Sequence, residues 1–254
     1  MVFIIFFLGL VVGSFLNCYI WRLYKGESII HGRSYCPKCK KTLRWYELIP
    51  LVSFALQRGR CRGCMQPIDW QYPIVELVMG MLFVLTYLRM GIPHGILHFT
   101  FYILHFYLLS VLTIIFVFDL RYGLVPDVVA LPAIVIALLY AVLTHLQLAA
   151  IGYLFLAACS GAIFFAAQYY FSHGRWLGAG DIRIGALMGA MVGWPYVFAA
   201  LVVSYFVGGV VGVILLATGK KKFGQTVPLG TFLTFGTAIV FLYGAPIWNW
   251  YFGL

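Results

Sequence analysis

Residues 95–118 read GILHFTFYILHFYLLSVLTIIFVF, a long run without Asp, Glu, Lys or Arg. A helix needs about 20 apolar residues to cross the hydrocarbon core of a bilayer. The rest of the chain has a similar character. Of its 254 residues, 63% are hydrophobic and 9% are charged, against roughly 25% charged in an average soluble protein. This composition excludes a soluble domain, a disordered chain and a collagen-like chain, and it predicts an all-α polytopic membrane protein.

Seven further apolar stretches flank this run. They cover residues 1–21, 73–92, 126–146, 148–171, 182–193, 195–217 and 227–251. The stretch at 182–193 is too short for an ordinary span, so the pattern fits either seven or eight spans. No small-residue cleavage site follows the first stretch, which argues against a removed signal peptide.

The basic residues decide between the two counts. Residues 22–71 hold ten of the 17 Lys and Arg residues, and cytoplasmic loops are enriched in both. With eight spans and both termini outside, 16 of the 17 fall on the cytoplasmic side, whereas seven spans would place the lysines at 220–222 outside. We therefore expect about eight transmembrane helices in three parts. These are a first helix over 1–21, a cytoplasmic insert over 22–71 and a helix bundle over 72–254.

The polar insert contains two pairs of cysteines. Residues 36–39 read CPKC and residues 61–64 read CRGC. Two such pairs supply four thiolates to a tetrahedral, closed Zn²⁺ site, which is structural rather than catalytic. A reducing cytoplasm argues against two disulfides, and unliganded thiols are the other alternative. An insert of about 50 residues also needs the folding energy that a metal supplies. The predicted ligands are Cys36, Cys39, Cys61 and Cys64.

Four acidic residues lie outside the insert: Glu76, Asp119, Asp127 and Asp181. Ionisable groups in or beside a membrane span are costly and are often functional. By the predicted topology all four lie near the cytoplasmic face. Each also has an ordinary explanation, because Asp119 can pair with Arg121 and the other three suit the first turn of a helix.

Asp181 differs from the other acids in its glycine-rich surroundings. It follows Gly-Ala-Gly at 178–180, and glycines then recur on one helix face at Gly185, Gly189 and Gly193. Small residues at this spacing let two membrane helices approach closely. If the neighbouring helix is the span that ends at Asp119, the two carboxyl groups meet at the cytoplasmic rim. Such a pair shares one proton, so that one group acts as base toward water and the other protonates the departing amine. This is aspartic protease chemistry.

Several short motifs extend this interpretation along the chain. They are GSFLN at 13–17, WRL at 21–23, LIPL at 48–51, RGRC at 58–61, YPIVEL at 72–77, the segment 119–127 and GAGD at 178–181. In this order, with the four-cysteine insert, they resemble the type IV prepilin peptidase family. Three features depart from the family. Arg183 stands where Lys is usual, Tyr24 replaces a common Pro, and PLGT at 228–231 matches the family's Pro-Phe-Gly-Pro only in part.

The resemblance implies a membrane aspartic endopeptidase whose catalytic pair maps to Asp119 and Asp181, with Asp127 in a supporting role. Family members cut the basic leader from prepilins and pseudopilins, after a Gly at the cytoplasmic face of the bacterial inner membrane. They then methylate the new N-terminal residue with S-adenosylmethionine. No strand–GxGxxG–helix pattern supports a nucleotide-type cofactor here, so the methyl donor rests on the resemblance alone. The implied partners are these substrates and the bilayer, with no nucleic acid.

Other function classes remain open on the sequence. A peptidase without methyltransferase activity fits the same aspartates. An ion-coupled transporter also uses paired membrane acids, but its acids lie near the bilayer midplane on broken helices. A third class is a scaffold protein that holds partners through its zinc-binding insert and catalyses no reaction. It would leave the GAGD motif at 178–181 unexplained.

Overall fold

Helices account for almost all of the regular structure in the computed structural model, which describes residues 1–144, 148–222 and 227–252. Six of these helices are long and apolar enough to cross a membrane. Within the described ranges, extended pairing is limited to two isolated bridges in the insert. The prediction of an all-α polytopic membrane protein with a small polar insert is confirmed. The count of eight spans stays a prediction.

The helix bounds follow the apolar stretches closely. The helices are α1 Val2–Lys25, α2 Val52–Leu56, α3 Gln71–Met90, α4 Gly95–Tyr122, α5 Asp127–Thr144, α6 Leu148–Phe171, α7 Ala179–Val192, α8 Tyr196–Ala217 and α9 Leu229–Phe252. The first helix continues to Lys25, beyond the predicted end of the span at residue 21. Helix α7 has 14 residues and is therefore about 21 Å long, less than the hydrocarbon thickness of about 30 Å.

Two compact units divide the chain, Met1–Phe106 and Tyr107–Leu254. In the first unit α1 packs directly against α3. A Cβ atom on Gly13 would lie 2.7 Å from Cα of Glu76, and one on Gly9 would lie 2.6 Å from the Met79 carbonyl oxygen. Only glycine fits at these two positions, because the helix backbones touch there.

The insert is tied to α1 by the side chain of Arg22, which is buried. Its guanidinium group donates to four backbone carbonyl oxygens at 3.0–3.3 Å, those of Ser28, Ile29, His31 and Gly32. Such a group needs hydrogen-bond acceptors when it is removed from water. The four carbonyls supply them, and Arg22 thereby holds the first loop of the insert against the end of α1.

Further hydrogen bonds tie the middle and the end of the insert to α3 and α1. The buried Glu76 carboxylate on α3 accepts the backbone N–H of Leu51 at 2.8 Å. The amide of Asn17 on α1 donates to the Tyr72 carbonyl at 3.1 Å and accepts from the Gln71 side chain at 3.1 Å. The acid that the sequence singled out at Glu76 therefore anchors the loop at Leu51 to α3.

In the second unit α7 is packed by α5, α6, α8 and α9. Its side chains Ile184, Leu187 and Met188 are fully buried. A Cβ atom on Gly185 would lie 2.5 Å from the Gly161 carbonyl oxygen of α6, and one on Gly189 would lie closer still to the Ala157 carbonyl oxygen of α6. The glycine face therefore contacts α6, and not α4, the span that ends at Asp119 and was the hypothesised neighbour.

Candidate active site and metal centre

Asp119 lies in the last turn of α4, and its side chain is buried. Its Oδ2 atom accepts the backbone N–H of Thr231 at 2.6 Å and the Thr231 hydroxyl at 3.1 Å. Thr231 belongs to the first turn of α9, where backbone N–H groups have no partner within the helix. The negative charge of Asp119 thus faces the positive end of α9.

Asp181 lies in the first turn of α7 and is also buried. Gly178, the residue just before the helix, has an extended backbone with φ −83° and ψ 157°. Its N–H donates to Oδ2 of Asp181 at 3.0 Å. An acid at the third position of a helix commonly makes this bond, so the local sequence Gly-Ala-Gly-Asp both starts the helix and orients the carboxylate.

The helices that carry the two aspartates both lie beside Gly230 of α9. A Cβ atom there would be 2.9 Å from Oδ2 of Asp119 and 2.7 Å from Cδ1 of Ile184 in α7. The site is therefore assembled from the end of α4, the start of α7 and the start of α9.

Asp127 has a different partner. It is the first residue of α5, and its carboxylate pairs with the Arg183 guanidinium of α7 at 2.5 Å. Both side chains are partly exposed, at 48% and 36%. Asp127 thus links the starts of two helices, and its supporting role stays a prediction.

The second glycine of the GAGD motif makes a steric contact, whereas the first does not. A Cβ atom on Gly180 would lie 2.6 Å from Cγ2 of Val125, in the segment that connects α4 to α5. A Cβ atom on Gly178 would find its nearest neighbour at 3.9 Å. Gly180 therefore lets the start of α7 approach the segment that follows Asp119.

The four insert cysteines form one cluster, with all Sγ atoms within 4.8 Å of one another. The Sγ atoms of Cys36 and Cys64 are 3.9 Å apart, and those of Cys39 and Cys61 are 4.0 Å apart. Sulfur atoms around a tetrahedral Zn²⁺ with Zn–S bonds of about 2.3 Å are about 3.8 Å apart. The cluster therefore fits a structural metal ion of the predicted kind.

Two hairpins of the same geometry build this cluster. In the first, the N–H of Cys36 bonds to the Lys41 carbonyl and Lys40 has φ 60°. The second hairpin repeats each feature at the equivalent position, with Cys61 bonded to Gln66 and Met65 at φ 57°. Each hairpin thus offers two sulfur atoms from one tight turn.

One cysteine of the cluster, Cys61, has a lowered thiol pKa. The pKa of the Cys61 thiol is lowered to about 7, first because the backbone N–H of Cys64 donates to it and also because that of Gly63 does. Thiolate is the form of cysteine that binds metal. The hairpin backbone therefore favours the thiolate at Cys61. The backbone N–H of Gln66 lowers the pKa of the Cys64 thiol, but burial and hydrogen bonds with the other three cysteines outweigh it and raise that pKa to about 11.

A groove of about 370 Å³ lies in the insert, and its chemistry does not match the S-adenosylmethionine that the resemblance implies. Its walls include Phe54 and Trp70, whose ring centroids are 5.1 Å apart, together with Arg58 and Arg60. S-adenosylmethionine carries two positive groups and one carboxylate. A groove lined by two guanidinium groups and no acid does not fit that charge, so we assign no residue to the methyl donor.

Sequence reasoning missed Thr231 as part of the site. The only signal was the partial match of 228–231 to the family motif, with Thr in the last position. A residue 112 positions from Asp119 has no local pattern that reveals the contact.

Comparison with known proteins covers nearly the whole chain. Residues 7–90 match the Bacterial Peptidase A24 N-terminal domain, and residues 106–213 match the Type IV leader peptidase family. No solved structure matches.

Among curated proteins, several called "Prepilin leader peptidase/N-methyltransferase" are similar. The protein from Bacillus subtilis is 32% identical over 98% of this chain and 96% of its own length. That from Myxococcus xanthus is 35% identical over 85% of this chain and 64% of its own length. That from Burkholderia pseudomallei strain 1026b is 30% identical over 95% of this chain and 85% of its own length. With both family matches in chain order, the chain belongs to the type IV leader peptidase family.

Proposed function

We propose that this protein is a membrane aspartic endopeptidase that removes the basic leader from type IV prepilins or pseudopilins, and that it N-methylates the new N-terminus. The observation that carries the proposal is the buried pair Asp119 and Asp181, at the ends of two helices in a chain of this family. The relatives' names supply the substrate and the second activity.

The proposed cleavage uses both carboxyl groups on one water molecule. Two neighbouring carboxyls do not both ionise readily, so the pair holds one proton. The ionised group removes a proton from water, whose oxygen attacks the carbonyl carbon of the glycine at the end of the leader. The protonated group gives its proton to the departing nitrogen as the C–N bond breaks. The pair ends with one proton, and the products are a carboxylic acid and an amine.

The hydrogen bonds of the pair support this assignment. In each carboxylate Oδ2 accepts a backbone N–H, from Thr231 in one case and from Gly178 in the other. Within the described chain, no hydrogen bond is made to either Oδ1 atom. Each group is thus oriented through one oxygen, and the other remains available to water and the shared proton.

The proposed placement is the bacterial inner membrane, with the insert and the catalytic pair on the cytoplasmic side and both termini outside. Both termini lie on the same side only when the number of spans is even, as in the predicted count of eight. The distribution of basic residues supports it, because 16 of the 17 then lie on the cytoplasmic side.

The four insert cysteines are proposed to hold a structural Zn²⁺. Four protein ligands close the coordination shell, so the ion contributes folding energy and does not bind substrate. The methyl donor is proposed to be S-adenosylmethionine, which supplies an electrophilic methyl group. The relatives' names alone support that activity.

The test is a cleavage assay of a prepilin in membranes or detergent, comparing wild type with Asp119→Asn and Asp181→Asn. Both variants are expected to express and to cut at least about a thousandfold more slowly, because each lacks one member of the acid–base pair. Asp127→Asn is the matched control and should retain most activity. Product mass reports methylation as one added CH₂ group.

Each other outcome has a definite meaning. If either variant of the pair cuts at nearly the wild-type rate, the catalytic assignment is wrong. A cleaved product without the added CH₂ would identify a peptidase-only enzyme. A wild-type protein that cuts no prepilin would return the paired acids to the transporter hypothesis.

A further inference from the structure

Asp119 is held by a single residue of α9 that contributes two donors. The backbone N–H and the hydroxyl of Thr231 both reach the same oxygen, Oδ2, at 2.6 and 3.1 Å. Thr231 is 4% exposed, so water does not replace these bonds readily.

The surroundings leave the carboxylate little freedom to find another position. Gly230, just before Thr231, lies against the Asp119 carboxyl group, since a Cβ atom there would be 3.0 Å from its Cγ. The hydroxyl of Thr234 returns to the backbone carbonyls of Gly230 and Thr231, which fixes this first turn of α9. The donors of Thr231 are therefore held in place by their own helix.

We infer that Thr231 is a positioning residue of the proposed peptidase, whose hydroxyl and N–H fix Oδ2 of Asp119 so that Oδ1 faces the water. The inference rests on the proposed function. Thr231 does not touch the reacting atoms. It acts by holding Asp119 in the orientation needed for proton transfer, which depends on geometry at the scale of about 1 Å.

The matched substitution is Thr231→Val, which keeps the shape and the N–H but removes the hydroxyl. The turnover number kcat should fall about tenfold or more, while KM stays within about twofold, because substrate binding does not involve this bond. Thr231→Ser restores a hydroxyl and should return kcat to within about threefold of wild type.

Thr237→Val is the control for a buried hydroxyl lost from the same helix. Its hydroxyl donates to the Leu233 carbonyl at 2.6 Å, and the residue is fully buried. It should keep wild-type kcat. Thermal unfolding of all variants, measured in the same detergent, should agree within a few degrees, so that a loss of kcat is not a loss of folded enzyme.

The inference is overturned if Thr231→Val retains kcat within about twofold, if its loss lies in KM, or if Thr231→Ser fails to rescue. An equal loss in Thr237→Val also overturns it. These results all require that wild type cleaves prepilin, so they differ from failure of the proposed function. A wild type without cleavage refutes that function and, with it, the role of Thr231.

Discussion

The insert and the aspartate pair are two polar sites that are assembled in opposite ways. The cysteine cluster uses two hairpins within one short insert, each of which presents two ligands from one turn. The aspartate site joins the ends of three helices, and its bond from Thr231 to Asp119 crosses 112 residues. The first site depends on local turn geometry, and the second depends on helix packing. Damage to one should therefore leave the other largely intact.

The largest effect is expected from loss of the metal site. The double substitution Cys36→Ser and Cys61→Ser should reduce bound zinc from about one ion per chain to nearly none, as measured by mass spectrometry of the metal. Structural zinc binding is worth about 10–16 kcal/mol in small peptides, so the insert should lose its fold. Hydrogen exchange should rise across the insert and remain unchanged in α7.

Cys18→Ser is the matched control, because this cysteine lies outside the cluster and its sulfur is 3.9 Å from the Ser34 hydroxyl. It should leave the zinc content unchanged. An equal rise in hydrogen exchange in α7 and in the insert of the double variant would show that the two sites do not fold independently.

An intermediate effect, on the cleavage rate, is expected from substitution of Gly180, the second glycine of GAGD. Gly180→Ala should lower cleavage about tenfold or more, since its Cβ would lie 2.6 Å from Val125 and force the start of α7 away. Gly178→Ala, with 3.9 Å of clearance, should stay within about threefold of wild type. Both rates come from the same prepilin assay.

Comparing Gly180→Ala with Gly178→Ala shows whether a glycine of the GAGD motif is needed because its position is sterically crowded. If Gly178→Ala is the more damaging change, the first glycine has a role beyond the N–H that it donates to Asp181. Zinc content should be unchanged in both variants, because the affected helices lie outside the insert.

The smallest effect is expected at the ion pair between Asp127 and Arg183. A double-mutant cycle with Asp127→Asn and Arg183→Gln should give a coupling free energy of about 0.2–1 kcal/mol in the free energy of unfolding, because both side chains are partly exposed. The coupling should shrink in high salt. A coupling above about 2 kcal/mol would place this pair among the principal contacts of the second unit.

The same contrast explains how much could be predicted from the sequence. The apolar runs gave the helices to within a few residues, because a bilayer constrains length and composition strongly. The cysteine cluster was also predictable, since C-x₂-C turns carry their geometry locally. The residues Asp119 and Asp181 were selected as costly membrane acids, and the structure places both in helices that lie beside Gly230.

Contacts between distant helices could not be predicted in this way. The glycines at 185 and 189 indicated a close helix neighbour, but glycine spacing does not say which one, and α6 occupies that face. For Thr231 the partial motif match at 228–231 gave no partner, because a threonine in a helix start has many uses. Such contacts depend on which helices meet, and a single sequence carries little information about that.

The hairpin repeat also has a consequence for biosynthesis. Both halves of the cysteine cluster are encoded early, and Cys64 precedes both Asp119 and Asp181 in the chain. Translation proceeds from the N-terminus at about 5–20 residues per second, so the second hairpin is complete seconds before the chain reaches the aspartates. The ribosome therefore delivers the four cysteines first. At the proposed zinc site, the ion would bind the nascent chain before the catalytic aspartates are synthesised.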